Sequence, residues 1–450
     1  NLLTIMDYTT ESYEGASLEV TEFASHLSVI TANHFSNVVA EADNRLLIKY
    51  FDALSGWSNG HQIFELLDKY ICSCDEQIEC IISNLNQYPI GDQRYNFIAE
   101  NLDWLQNERD TWQLVRILYR DRLDCELENK DIEPLSYEEG KIISDRTLVE
   151  KYYEKDATIR QCQLICDWLE SVAAQSFDSV HGDKVEFFAD HAVAWENTLH
   201  HLHNKNGINN AANMVTELDP DAPVRQNRAL HDLDKEDDFR LIKYLMAYIR
   251  CGKIDEAENL CLRVGQPWRA AILEGWRLYH DPNFDAESEL QPVEGNPYRD
   301  VWKEICAKAS VHPGLDTYER AIYGILSGNI EPVIAVCKSR HDLLWAHLKV
   351  FIDHRVEQYL RDASQSLREL RPIPVQLDDK MHNLACIFTE MKSLVNPGSQ
   401  SGYFPSSGPN AQYEELQENI ILDDTSDLMK IIKLFVACYK DKYLSILRFM

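Results

Sequence analysis

Apolar residues return every three or four positions along most of this 450-residue chain, and no run shows a convincing period of two. That spacing predicts an all-α fold. In "HQIFELLDKYICSCDEQIECIISNL", Ile63, Leu66, Leu67, Tyr70 and Ile71 share one helical face. "NFIAENLDWLQNERDTWQLVRILY" carries Phe97, Leu102, Trp104 and Leu105, then Trp112, Val115 and Leu118. "TIRQCQLICDWLESVA" repeats the pattern with Ile159, Cys162, Ile165, Cys166 and Leu169. A helix with one apolar stripe needs a neighbour to cover it, so such helices must stack on one another.

Two stretches repeat. "CGKIDEAENLCLRVGQPWRAAIL" and "SGNIEPVIAVCKSRHDLLWAHL" align on Gly252 and Gly328. Ile254 then matches Ile330, Ala257 matches Val333, Leu260 matches Val336, and Cys261 matches Cys337. Trp268 and Trp345 fall one residue out of register. Glycine readily takes the left-handed conformation that ends a helix, and here the next helix follows at once. The repeated unit is an αα-hairpin, and stacked hairpins make an α-solenoid.

Charge narrows the partners. With 74 acidic against 44 basic residues the net charge is −30, which repels nucleic-acid phosphate and anionic lipid. No direct nucleic-acid binding is expected. The twelve scattered cysteines read as reduced thiols of a cytosolic or nuclear protein rather than a disulfide framework. The run "IIKLFVACY" is too short to span a bilayer and is interrupted by Lys433. The chain begins at Asn1 without methionine and ends at Met450 inside a helical pattern, so it reads as a fragment of a longer protein.

Breaks in the pattern give the organisation. Residues 1–203 form an amino-terminal helical region, 204–238 a long loop, 239–395 a second helical region, 396–412 a low-complexity insert, and 413–450 the start of further helices. The loop from Glu217 to Asp238 holds eight acidic residues against three basic ones. It and the insert from Pro397 to Asn410 offer little apolar surface against an ordering cost of about 1–2 kcal/mol per residue, so both are expected to be flexible.

"VGQPWRAAILEGWRLYHDP" places two of nine tryptophans eight residues apart. Gly265 closes the preceding helix and Pro267 suits the first turn of the next. Trp268, Ala271, Ile272, Gly275, Trp276 and Tyr279 then follow the spacing of one helical face, ended by Asp281-Pro282. No polar group on that face could orient a ligand, so it reads as structural core rather than a ligand cradle. Gly275 is expected where another helix approaches closely.

Chemical sites find little support. His200, His201 and His203, with His191 and Glu196 nearby, are the best metal candidates, yet His201 points away from the other two. Cys72, Cys74 and Cys80 lack a partnering pair at zinc spacing, and neither HExxH, a phosphate loop nor G-x-S-x-G occurs. No metal, cofactor or catalytic residue is expected. In "YERAIYGIL", Tyr318, Ala321, Ile322 and Ile325 make one face, while Tyr323 and Leu326 make another. A helix apolar on two sides is buried twice, by its own solenoid or by a partner docking on Tyr318, Ile322, Tyr323, Ile325 and Leu326.

"TELDPDAPVRQ", "LDKEDDFRLIKYLMAYIRCGKIDEAENLC", "GQPWRAAILEGWRLYHDPNF", "LQPVEGNPYRDVW" and "YERAIYGILSGNI" together resemble the nucleoporin 107 family, from about Glu217 to Ile330. The resemblance implies a scaffold subunit of the Y-shaped complex of the nuclear pore, at the nuclear envelope. It implies a folded-back solenoid like those of coat proteins, and a non-enzymatic role supporting protein and mRNA transport. Partners would be other scaffold nucleoporins: a nucleoporin 96 type through this amino-terminal region, and a nucleoporin 133 type mostly through sequence beyond Met450. Two alternatives stay open, another helical adaptor such as a coat or lid-complex subunit, and a metal-dependent hydrolase using the histidines.

Overall fold

The computed structural model describes residues 37–56, 63–85, 93–128, 144–181, 193–203, 213–285, 290–363, 369–376, 383–394 and 409–438. Among them every long element is a helix; the only extended pairings are two isolated bridges, Met214 with Ala229 and His280 with Glu294. In chain order the helices are α1 (Asn37–Ser55), α2 (Ile63–Leu85), α3 (Gln93–Glu128), α4 (Asp145–Lys155), α5 (Ala157–His181), α6 (Glu196–His203), α7 (Ala222–Gln226), α8 (Asp232–Arg250) and α9 (Ile254–Arg263). They continue with α10 (Pro267–Glu274), α11 (Arg299–Ser310), α12 (Thr317–Ser327), α13 (Glu331–Ile334), α14 (Arg340–Ala363), α15 (Leu384–Leu394), α16 (Pro409–Leu422) and α17 (Thr425–Cys438). The all-α expectation holds.

The chain divides into two compact units, residues 1–129 with 406–450, and residues 130–405. This differs from the division at 203 and 239 read from the sequence. Helices α6 and α8 flank the supposed loop but belong to one unit, because Asp234 of α8 accepts hydrogen bonds from the backbone and hydroxyl of Thr198 at 2.6 Å each. A buried carboxylate capping a neighbouring helix's amino end ties the two together.

In the first unit, α2 buries Leu66, Leu67 and Tyr70 as the periodicity predicts. Tyr50 of α1 packs against Tyr70 with the rings tilted by 33°, and Tyr70 meets Trp112 of α3. Helix α3 is covered on two sides, since the chain folds back to lay α16 along it. Trp104 meets Tyr413 edge-on at 6.3 Å, and Gln417 donates to Thr111 at 3.0 Å. Arg122 donates to the carbonyls of Ile420 and Ile421 at 3.1 and 3.0 Å, satisfying acceptors that the end of α16 leaves unpaired.

In the second unit, α5 presents Ile159, Cys162, Ile165, Cys166 and Leu169, all fully buried. The turns were legible. Gly252, Gly265 and Gly328 all have positive φ, and in each the following amide reaches back five residues: Lys253 to Tyr248, Gln266 to Cys261, Asn329 to Gly324. This is the backbone closure that favours glycine after a helix.

The stretch from residue 213 to 238 is not a loop awaiting a partner. Val215, Ala222 and Leu230 form a small core with Trp195, and Trp268 packs against it. Arg225 gathers Glu217, Asp219 and Asp221 at 2.9, 2.6 and 3.3 Å, so part of the acidic excess is neutralised locally. Residues 232–238 already belong to α8. The insert is described only from Pro409 onward, in α16; residues 397–408 lie outside the described residues.

Candidate functional site

The sequence block that resembles a known family builds internal joints. Helix α10 ends at Glu274, one turn earlier than its apolar spacing suggests. The indole of Trp302 in α11 comes in against Gly275, where an added Cβ would lie 2.3 Å from its Nε1. That indole donates to the Ile272 carbonyl at 3.1 Å. Asn296 donates to the Gly275 carbonyl at 3.1 Å and Arg299 to the Trp276 carbonyl at 2.7 Å. The carbonyls freed at the helix end are thus taken by downstream side chains, which removes the reason to continue the helix. Gly275 serves the close approach expected of it.

The core assignment for this stretch needs correction. Ala271 is exposed, and the buried positions of α10 are Ala270 and Leu273. Trp268, Ile272, Gly275, Trp276 and Tyr279 are half-buried. Trp268 lies 5.5 Å from Trp195, ring centre to ring centre. Because the helix stops at Glu274, Trp276 and Tyr279 leave its face and line the following turn instead. The Tyr279 carbonyl accepts from the Arg146 amide at 3.2 Å, and His280 Nδ1 bonds Ser144 Oγ at 2.9 Å, so that turn holds the start of α4.

Three joints of the second unit hold charged pairs between helices. Arg269 bridges Asp238 at 3.1 Å and Glu319 at 2.7 Å, connecting α10 to α8 and α12. Arg250 pairs with Asp342 at 2.8 Å, donates to the Leu169 carbonyl at 2.8 Å and lies over the Trp345 ring. Beside it, Glu170 accepts from Trp345 Nε1 at 3.0 Å and pairs with Lys349 at 2.7 Å. The third joint sits between α11 and α14. Lys303, 1% exposed, contacts Asp353 and Glu357, and Arg299 contacts the same two carboxylates. Burial pushes the Lys303 ammonium down to about 7, with Asp353 pulling the other way. Sequence reading missed these joints, because each partner looks like one charge on a solvated helix face.

Other singled-out residues fall apart. In α6, His203 Nδ1 bonds its own helix at the Leu199 carbonyl, and exposed His200 is 3.8 Å from Glu196. The His201 ring lies 6.4 Å from that of His231. His191 lies outside the described residues. Cys72 and Cys80 are exposed, whereas Cys74 is buried against the Tyr50 hydroxyl at 2.8 Å. Among the described residues no group of three or more His, Cys, Asp or Glu could hold a metal ion, and no helix is long and apolar enough to cross a membrane.

Helix α12 is buried by its own unit. Ile322, Ile325 and Leu326 are inside, and Tyr323 is largely covered, its hydroxyl 3.4 Å from Glu319. Burial pushes that phenol upward, Glu319 adding to the effect. These four residues are therefore not a free docking surface, and α8, α11, α13 and α14 surround the helix. Tyr318 keeps an exposed edge beside Phe239, 6.0 Å between ring centres.

The sequence model of the family described as nuclear pore protein 84 / 107 matches residues 102–450, well beyond the block that carries the resemblance. Nuclear pore complex protein Nup107 of Rattus norvegicus is 41% identical over 375 residues, covering 82% of this chain and 39% of that protein. The Homo sapiens Nup107 is 40% identical over 374 residues with the same coverage. The Drosophila melanogaster protein is 34% identical over 394 residues, 86% of this chain and 45% of its own length. The chain thus spans less than half the length of these relatives. A match over this much of the sequence, on an all-α chain whose family-like block builds its internal joints, assigns the chain to the nuclear pore protein 84 / 107 family.

Proposed function

We propose that this chain is a structural scaffold subunit of the nuclear pore complex, within its Y-shaped outer-ring assembly at the nuclear envelope. The family match across residues 102–450 carries the reading. The structure supports a role exerted through shape: the conspicuous charged and aromatic groups of the family-like block are used in joining helices. In supporting the pore, the subunit would serve the passage of protein and mRNA indirectly. Its partners are other scaffold nucleoporins, a nucleoporin 96 type for this region and a nucleoporin 133 type for sequence beyond it.

The test is expression of the tagged chain in cells, with imaging and affinity purification. A rim of signal at the nuclear envelope and co-purification of a nucleoporin 96 type protein are expected. Diffuse signal together with no recovered nucleoporin, from chain shown to be helical by circular dichroism, would overturn the proposal.

A further inference from the structure

Arg277, in the turn after α10, gathers three carboxylates. Its Nη2 is 2.6 Å from Asp255 Oδ1 and 3.0 Å from Glu258 Oε2, both on α9. Its Nε is 3.0 Å from Glu274 Oε2 at the end of α10. One guanidinium cannot neutralise three anions, so negative charge is left in excess at this joint. Asp255 is exposed, and water and salt screen it. The Glu258 side chain is 14% exposed, and its Oε1 is buried without a hydrogen-bond donor. The Glu274 carboxyl lies within hydrogen-bonding reach of it.

Two ionised carboxylates cannot bond each other, because both only accept. One proton between them turns a carboxyl into a donor, lowers the excess charge and makes a charge-assisted hydrogen bond. The orphaned oxygen and the uneven charge count therefore both ask for a proton here. Burial pushes Glu258 up to about 7, with Arg277 opposing the rise and Glu274 adding to it. The Cys261 thiol faces Glu258 from the same helix. Helix α8, which also packs on α9, supplies none of its strongest partners.

We propose that Glu258 and Glu274 share one proton and form a pH-sensitive clasp between α9 and the end of α10. The inference goes beyond the scaffold role and does not depend on it. Below neutral pH the pair holds its proton and the clasp is closed. As pH rises through neutral the proton leaves to solvent, two adjacent anions remain on one guanidinium, and the clasp loosens. The same turn holds the start of α4 through Tyr279 and His280, so the effect reaches a second joint. The folded pair keeps a proton that the unfolded chain, with glutamates near 4.5, has already released. Its contribution to stability is therefore lost as pH rises from 6 to 8.

Denaturant unfolding of the whole chain at pH 6 and pH 8 tests the proposal, with parent and variants compared so that other titrations cancel. Relative to Glu258→Gln, the parent's unfolding constant should rise about tenfold from pH 6 to pH 8. Glu274→Gln gives Glu258 an amide donor without a proton, so it should remove the same rise; Glu274 is half-exposed and the variant should fold. Asp255→Asn leaves the pair intact and should keep the rise. In the parent, amides of residues 268–279 should exchange faster at pH 8 than the chemical rate alone explains, and in Glu258→Gln they should not. Equal pH dependence in the parent and both glutamine variants would overturn the proposal. So would a rise that Glu258→Gln removes and Glu274→Gln keeps, because Glu258 would then titrate alone.

Discussion

The two aligned glycine turns of the second unit, at Gly252 and Gly328, share a sequence frame and a backbone, yet different chemistry locks them. Gly252 has φ +70° and Gly328 φ +82°, each precedes a helix, and the aligned pairs Ala257 with Val333 and Cys261 with Cys337 are buried, Cys337 just past the end of α13. Each turn also lies against a carboxylate. A Cβ on Gly252 would lie 2.5 Å from Glu170 Oε2, and one on Gly328 would lie 3.1 Å from Asp353 Oδ2. At the first turn the countercharge, Lys349, keeps 29% of its side chain exposed. At the second, Lys303 keeps 1% and Arg299 12%. The helices diverge as well: α9 has ten residues, whereas α13 has four before Asp342 accepts from the Lys338 and Ser339 amides and starts α14. The repeated frame sets where the chain turns; burial of the countercharge sets what is at stake there.

The charge difference should give the largest contrast. Asp353→Asn leaves Arg299 and Lys303 buried with one carboxylate fewer, and is expected to cost about 3–5 kcal/mol. Glu170→Gln can still accept from Trp345 and leaves a partly solvated lysine, so about 1–2 kcal/mol is expected. Denaturant unfolding followed by circular dichroism measures both. Equal losses would break the comparison, since burial of the countercharge would then not decide the outcome.

The tryptophans sharpen it next. Trp345 is fully enclosed, with its indole N–H on Glu170, whereas Trp268 is half-buried against Trp195. Trp345→Ala should cost about 3–5 kcal/mol, in the range for removing a buried aromatic. Trp268→Ala should cost about 2 kcal/mol, in proportion to the smaller area it loses from contact. A Trp268→Ala protein that melts well below Trp345→Ala would reverse the ranking of the two copies.

What the sequence made legible follows the range of the interactions. The ends of α8, α9 and α12 could be read because a left-handed residue after a helix favours glycine, a purely local demand. The stripe of α5 could be read because one face meets one core. The end of α10 could not, since its terminal carbonyls are satisfied by Asn296, Arg299 and Trp302, more than twenty residues downstream. The order of residues 213–231 was hidden too, because Val215, Ala222 and Leu230 are few, irregularly spaced and surrounded by acid. Nor could two-sided burial of α12 be assigned to its own unit, since an apolar helix looks the same whether neighbour or partner covers it.

The smallest effect at neutral pH separates the copies at one residue. The one-residue slip that aligns Trp268 with Trp345 also aligns Ala270 with His347. Both are buried, but His347 places an imidazole there whose two ring nitrogens have no hydrogen-bond partner. Burial pushes it from 6.5 down to about 4. Between these values the unfolded chain binds a proton that the folded chain refuses, so acid favours unfolding. Stability contributed by keeping this ring neutral is therefore present above pH 6.5 and is lost as pH falls toward 4. From pH 7 to pH 5 the loss assigned to His347 is about 2 kcal/mol. His347→Leu removes the titration and the two orphaned nitrogens, so at pH 7 it should match the parent within about 1 kcal/mol or exceed it. At pH 5 it should be the more stable protein by about 2 kcal/mol, measured as the difference in denaturant midpoints at the two pH values. If parent and variant lose the same stability between pH 7 and 5, the ring is not held neutral in the core, and the second copy has no acid-sensitive position that the first lacks.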